Sequence, residues 1–113
     1  MLKKGFRISR KDFPALLTSR HFLHSEHFSL RISTSQDKHP HIGVSVSKKI
    51  SKKASIRNTI RRRVYSVVFK YLKDLKPKTL LFVSKINGDK VKGKELQLEI
   101  EKLLTSGNLI ERV

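Results

Sequence analysis

The segment 54–75 constrains the fold more than any other part of the chain. Ile56, Ile60, Val64, Val67, Val68, Tyr71, Leu72 and Leu75 recur at spacings of three and four, which makes one apolar stripe of an amphipathic helix. Asn58, Arg61, Arg62 and Tyr65 occupy much of the remaining surface. Such a helix lays its stripe on a sheet or on another helix. Pro77 ends it. The surroundings are electrically one-sided. No carboxylate occurs in the 36 residues between Asp37 and Asp74, and eight cations fall within the 16 positions 48–63. Acids gather instead at Glu95, Glu99 and Glu101.

The whole chain shares that bias. Its 113 residues carry 26 Lys+Arg against 9 Asp+Glu, a formal charge of +17. Self-repulsion of this size opposes a compact state unless a polyanion offsets it. Nucleic acid is the first candidate and an anionic membrane surface the second. The absence of cysteine excludes a disulfide scaffold, a Cys-ligated zinc finger and a thiol nucleophile. No apolar run approaches the roughly 18 residues of a membrane span, and MLKKGFRISRK lacks the apolar stretch of a signal peptide. A soluble, cytoplasmic, single domain over 1–113 is expected, with no membrane partner.

Periodicity supplies the other elements. Phe13, Leu16 and Leu17 give a short helical face within 9–19. Its start is either Ser9, with Asp12 as a capping-box partner, or Asp12 itself, which brings Pro14 inside the first turn. Over 27–33, Phe28, Leu30 and Ile32 alternate with Ser29, Arg31 and Ser33, a half-buried strand. Ile42, Val44 and Val46 alternate with His41, Gly43, Ser45 and Ser47 in a second strand, and the two are expected to pair antiparallel. TLLFVS at 79–84 reads as a strand buried on both faces. A helix over 94–105 turns Leu96, Ile100, Leu103 and Leu104 inward, with Gly107 as its C-cap candidate and the flank bearing Glu95 to Glu101 solvated. The order is α-β-β-α-β-α, an α/β (α+β) two-layer sandwich with helices packed on a mixed sheet. Phe28, Phe69 and Phe82 are expected in the core.

The basic helix suits phosphate chemistry. Arg57 and Arg61 stand about 6 Å apart at i,i+4 spacing, close to the separation of successive phosphates. With Arg62, their guanidinium forks match phosphate oxygens in pairs, and Asn58 can reach a sugar or base edge. Ser45, Ser47, Lys48 and Lys49 lead into the helix and extend a basic surface onto the sheet. A merely solvated face normally mixes signs, and this one has no acid. A DNA-binding helix free to fork across a groove is disfavoured, because the apolar stripe packs this helix into the fold. A membrane-surface helix is disfavoured because the same stripe is needed for the core. Paired catalytic carboxylates, a phosphate-cradling glycine loop and a Ser/His/Asp arrangement are not apparent. His21, His24, His27, His39 and His41 read as surface or RNA-facing rings and not as a metal site, since no cysteine or carboxylate cluster completes a shell.

The segment GVSVSKKISKKASIRNTIRRRV at 43–64 resembles the signature of the bacterial ribonuclease P protein subunit. Members carry a strand ending in Val-Ser-Lys-Lys, a short basic loop with an alanine, then an Arg-Asn-Arg helix. KDF at 11–13, the aromatic-x-leucine strand at Phe28 and Leu30, and the closing amphipathic helix extend the likeness over nearly the whole chain. The resemblance implies a left-handed β-α-β crossover. It also implies a catalytic RNA subunit that cleaves precursor tRNA through bound Mg2+, with no catalytic residue in the protein. The partners implied are that RNA and precursor tRNA, with a monomeric protein in a one-to-one ribonucleoprotein. Arg57, Asn58, Arg61, Arg62, Arg63, Lys52 and Lys53 would contact the RNA subunit. Phe13, Leu17, Arg31, Ser45, Ser47, Lys48 and Lys49 would border the path of the 5′ leader.

Some positions depart from the family pattern. Thr59 stands where the triplet has its second arginine, and Arg63, one turn along, is expected to replace part of that charge. Leu17 stands where the family usually has Phe, and Arg31 lies near a common strand Tyr, so the leader path is expected to grip more by charge than by stacking. A ribosomal or other structural-RNA-binding protein is the rival reading that composition alone leaves open.

Overall fold

The computed structural model of the protein describes residues 22–34, 40–46 and 53–110. The helix expected over 9–19 lies outside the described residues. In order, the elements are β1 (Phe22–His24), β2 (Phe28–Thr34), β3 (His41–Ser45), α1 (Ala54–Tyr71), β4 (Lys78–Ser84) and α2 (Gly93–Ser106). Short 3-10 turns follow α1 at Leu72–Asp74 and precede α2 at Gly88–Lys90.

The apolar run of β4 sets the sheet. Leu80, Leu81 and Phe82 are fully buried, so this strand needs neighbours on both edges and cover on both faces. The spatial order is β1-β2-β4-β3, with β2 antiparallel to β4 and β3 parallel to it. The expected antiparallel pair of β2 and β3 is therefore not formed: β4 lies between them. Alternating strands have one polar face and suit the flanks, whereas an uninterrupted apolar strand takes the centre. Because β3 and β4 run parallel, the chain must cross between them, and α1 makes that crossing.

Register divides the sheet into two unlike faces. Leu30, Phe82 and Val44 align across three strands, as do Ile32, Leu80 and Ile42. They join Ile60, Val64, Val67 and Val68 of α1 and Leu96, Ile100, Leu103 and Leu104 of α2 in one core. The opposite face carries the rows Ser29–Val83–Ser45, Arg31–Leu81–Gly43 and Ser33–Thr79–His41.

Both helices bury the expected stripes, with corrections at three places. Phe69, expected in the core, is 58% exposed, because it points well away from the azimuth of Val64 and Val68. At the end of α2 the left-handed residue is Asn108 (φ 55), while the C-cap Gly107 keeps φ −83. Gly107 serves by its lack of a side chain: a Cβ there would come within 3.0 Å of Leu23 and 3.1 Å of Leu109. The third correction concerns the flank of α2 that was expected to be solvated. Glu99 is largely buried and ties the β1–β2 turn to the helix. Its carboxylate accepts the Ser25 hydroxyl at 2.5 Å and the His27 backbone N–H at 2.9 Å, with His27 Nδ1 at 2.6 Å. His27 is thus an anchoring ring and not a surface one. Beside it, Lys85 Nζ donates to the Ser25 carbonyl, and Tyr71 donates to Glu101 at 2.6 Å.

Burial alone would raise the Glu99 pKa. The hydrogen bonds from Ser25 and His27, with the His27 charge, outweigh burial and hold it below its ordinary 4.5. A depressed carboxylate contributes stability above its unfolded value and loses it as pH falls through its folded one. Glu99→Gln should therefore cost about 1.5–3 kcal/mol near pH 7, the range for hydrogen bonds to a charged acceptor. That difference should shrink as pH falls below about 4.5. Urea melts at both pH values check this, and an undiminished difference in acid would contradict it. Phe82→Ala should cost about 3–5 kcal/mol by opening a cavity, whereas Phe69→Ala should stay within about 0.5 kcal/mol. The same melts compare the two.

Candidate nucleic-acid interface

The expected contact residues that the structure describes fall on two surfaces. Arg57, Asn58, Arg61, Arg62, Arg63 and Lys53 belong to α1 and its N-cap, in the helical layer. Arg31 and Ser45 belong to the polar face of the sheet, which points away from that layer. Phe13, Leu17, Ser47, Lys48, Lys49 and Lys52 lie outside the described residues.

On α1, five cations (Arg57, Arg61, Arg62, Arg63 and Lys70) occur without an acid. No acidic side chain opposes the positive end of the helix dipole in its first turn. At about 100° per residue, the cations take up separate azimuths. Arg57 and Arg61 flank the buried stripe and are half-buried, while Asn58 and Arg62 are exposed. Asn58 Oδ1 accepts from Arg61 Nη1 at 3.0 Å, which holds that guanidinium in a fixed orientation. Thr59 and Arg63 occupy the far flank, with Arg63 about 160° around the helix from Arg61. Thr59 donates its hydroxyl to the Ser55 carbonyl at 2.8 Å, and Arg63 Nη1 donates to the Asp89 carbonyl at 3.1 Å. Arg63 thereby anchors the turn before α2.

The donor set on this helix is guanidinium, amide and hydroxyl, with no carboxylate. It suits phosphate oxygens and does not suit Mg2+, which takes hard oxygen ligands. Glu26, Glu95 and Glu99 stand elsewhere, around a cleft of about 640 Å³ between the β1–β2 turn and α2. Ser25, His27 and Glu99 do not make a nucleophilic triad, because the serine hydroxyl donates to the carboxylate and not to the imidazole.

The sheet surface holds a residue that sequence reasoning missed. Phe22 on β1 is the cross-strand partner of Arg31, and the Arg31 guanidinium carbon lies 4.7 Å from its ring centroid. The His24 ring meets the same phenylalanine edge-on, with centroids 4.9 Å apart. Phe22 is 42% exposed, so one aromatic surface stands beside the cation on this face. A three-residue strand is too short for alternation to reveal it, and the sequence signal was limited to an aromatic within a histidine-rich stretch. Arg31 and Ser45 share the face two strand spacings apart, about 10 Å, with β4 between them.

The chain is similar to known proteins along most of its length. The family model Ribonuclease P matches residues 2–107. The ribonuclease P protein component of Streptococcus pyogenes serotype M5 is 28% identical over 113 residues, covering 98% of this chain and 93% of that protein. The component from Streptococcus gordonii is 27% identical over 97 residues, covering 85% and 81%. Among solved structures, a Staphylococcus aureus RNase P protein mutant with defective mRNA degradation activity superposes with a TM-score of 0.86 at 21% identity, covering 95% of this chain and 92% of that one. The RNase P protein of Thermotoga maritima gives a TM-score of 0.75 at 21% identity, covering 94% and 98%. These structures share the fold, a mixed four-stranded sheet with helices on it. The family match spans the basic helix α1 and both strands it connects, and it decides against a ribosomal protein: the chain belongs to the ribonuclease P protein component family.

Proposed function

We propose that this protein binds the RNA subunit of ribonuclease P through α1 and the 5′ leader of precursor tRNA along the polar sheet face. In this role it assists removal of the leader to give the mature tRNA 5′ end. The acid-free helix carries the reading: Arg57, Asn58, Arg61 and Arg62 combine exposed or half-exposed cations with an amide that orients one of them. Lys53 adds a cation at the helix entrance, and Lys52 precedes it in sequence. Arg63 has a second role as an anchor, through its bond to the Asp89 carbonyl.

Bond cleavage belongs to the RNA subunit and its Mg2+ in this proposal, and the protein supplies charge and orientation. Neutralised phosphates bring the RNA closer at a given ionic strength, which relaxes the need for high Mg2+. The complex is one protein with one RNA. On the sheet face, Phe22 amends the expectation that the leader is gripped mainly by charge. Arg31 beside the Phe22 ring can hold a phosphate while a neighbouring base stacks on the aromatic surface. Ser45 adds a hydroxyl to the same face, and Phe13, Leu17, Ser47, Lys48 and Lys49 complete the proposed path.

At low Mg2+, the purified protein should stimulate accurate 5′ cleavage of a precursor tRNA by a bacterial ribonuclease P RNA, and protein alone should cleave nothing. Equal cleavage with and without protein would overturn the proposal. Arg61→Ala should weaken binding to the RNA subunit and lower the slope of log K against log salt by about 0.7–0.9. Phe22→Ala should weaken binding of a single-stranded leader by about 1–3 kcal/mol and leave RNA-subunit affinity unchanged. Parallel titrations with the two RNAs separate the surfaces, and an equal loss for both would refute their division.

A further inference from the structure

The outer face of α1 continues past its arginines. Asn58, Arg62, Tyr65 and Phe69 follow at spacings of four, three and four, so at about 100° per residue they fall within about 60° of azimuth. Together they run about 16 Å along the axis. Phe69, at the far end, is 58% exposed, the most exposed of the described phenylalanines. Tyr65 lies half-buried between it and Asn58, packed against the core.

The ring stands in a cationic setting. Arg62 lies two turns before it on the same azimuth, Lys70 is its chain neighbour, and α1 holds no acid. Tyr65, one turn before it on this face, is drawn down against the core, and Arg62 and Ser66 are exposed, so Phe69 is the one exposed ring on α1 and not part of an apolar patch. A protein partner would need acidic groups to meet such a surface together with an apolar pocket. A membrane would need several apolar side chains in a cluster. One exposed aromatic among arginines matches a nucleotide chain, in which each flat base is joined to a phosphate.

We propose that Phe69 is a stacking platform for an unpaired base of the RNA subunit, with Arg62 holding a phosphate of the adjoining strand. This rests on the reading that α1 faces that RNA, and it adds a contact of a different kind. Arginine contacts weaken with salt by counterion release, whereas stacking does not. The interface would therefore retain part of its affinity at high salt and would select a single-stranded or bulged nucleotide at this end of the helix.

Binding of a ribonuclease P RNA to the full chain across a salt series tests the proposal. Phe69→Ala should weaken binding about 5- to 150-fold at every salt concentration without changing the slope. Phe69→Trp should bind as well as the parent or better, and Phe69→Leu should fail like the alanine variant. Arg62→Ala should lower the slope. If Arg62→Ala lowers it but Phe69→Ala binds normally, the stacking platform is wrong and the helix still faces RNA. If neither variant has an effect, both readings fall. Normal binding by Phe69→Leu would show an apolar contact in place of stacking. A self-associating parent chain that Phe69→Ala renders monomeric in sedimentation would assign the ring to contact between copies of the protein. Either result overturns the proposal.

Discussion

The full burial of three successive residues at the middle of β4 governs this structure. Leu80, Leu81 and Phe82 together leave no side of the strand for water, so the strand is central and both of its edges are paired. Parallel pairing with β3 then requires a crossover. The crossover segment is the amphipathic helix α1, whose apolar stripe closes the core over the sheet. Its cations are consequently carried outward on a rigid support. The electrostatic surface is thus a by-product of sheet topology: the chain can spread four arginines around this helix because Ile60, Val64, Val68 and Tyr71 already hold it to the core.

Much of this was legible in the sequence, for a physical reason. Alternation reports which face of a strand is buried, and the stripe at three and four reports which face of a helix is buried. Strands at 28–34 and 78–84 and helices from Ala54 and Gly93 all fall within a few residues of expectation. Alternation does not report which strand lies beside which, and the supposed pair of β2 and β3 failed on that point. Hydrophobicity alone does not report azimuth, and Phe69 lies off the buried stripe for that reason. The Ser25–His27–Glu99 anchor joins residues 72 and 74 positions apart, and no local pattern encodes such a contact.

The site was legible to the same degree. That Arg57, Asn58, Arg61 and Arg62 share one acid-free helix could be read in advance, because charge and spacing are local properties. Their differing roles could not, because they depend on azimuth and partners: Asn58 steadies Arg61, and Arg63 spans to the Asp89 carbonyl. Phe22 escaped notice because its significance lies in a cross-strand neighbour, Arg31, nine positions later.

The anchor at Glu99 has a bearing on how variants of this protein should be interpreted. Phe22 sits on an edge strand of three residues, and the turn joining that strand to β2 is fastened to α2 through Ser25 and His27. The aromatic surface proposed for RNA is therefore levelled from the cleft that holds Glu99. On the proposed function, a lesion in this cleft would present as a defect in RNA handling although the lost side chain never meets a phosphate. Genetic screens for RNA contacts in this protein would thus recover a carboxylate that repels RNA, selected because it keeps an edge strand in plane.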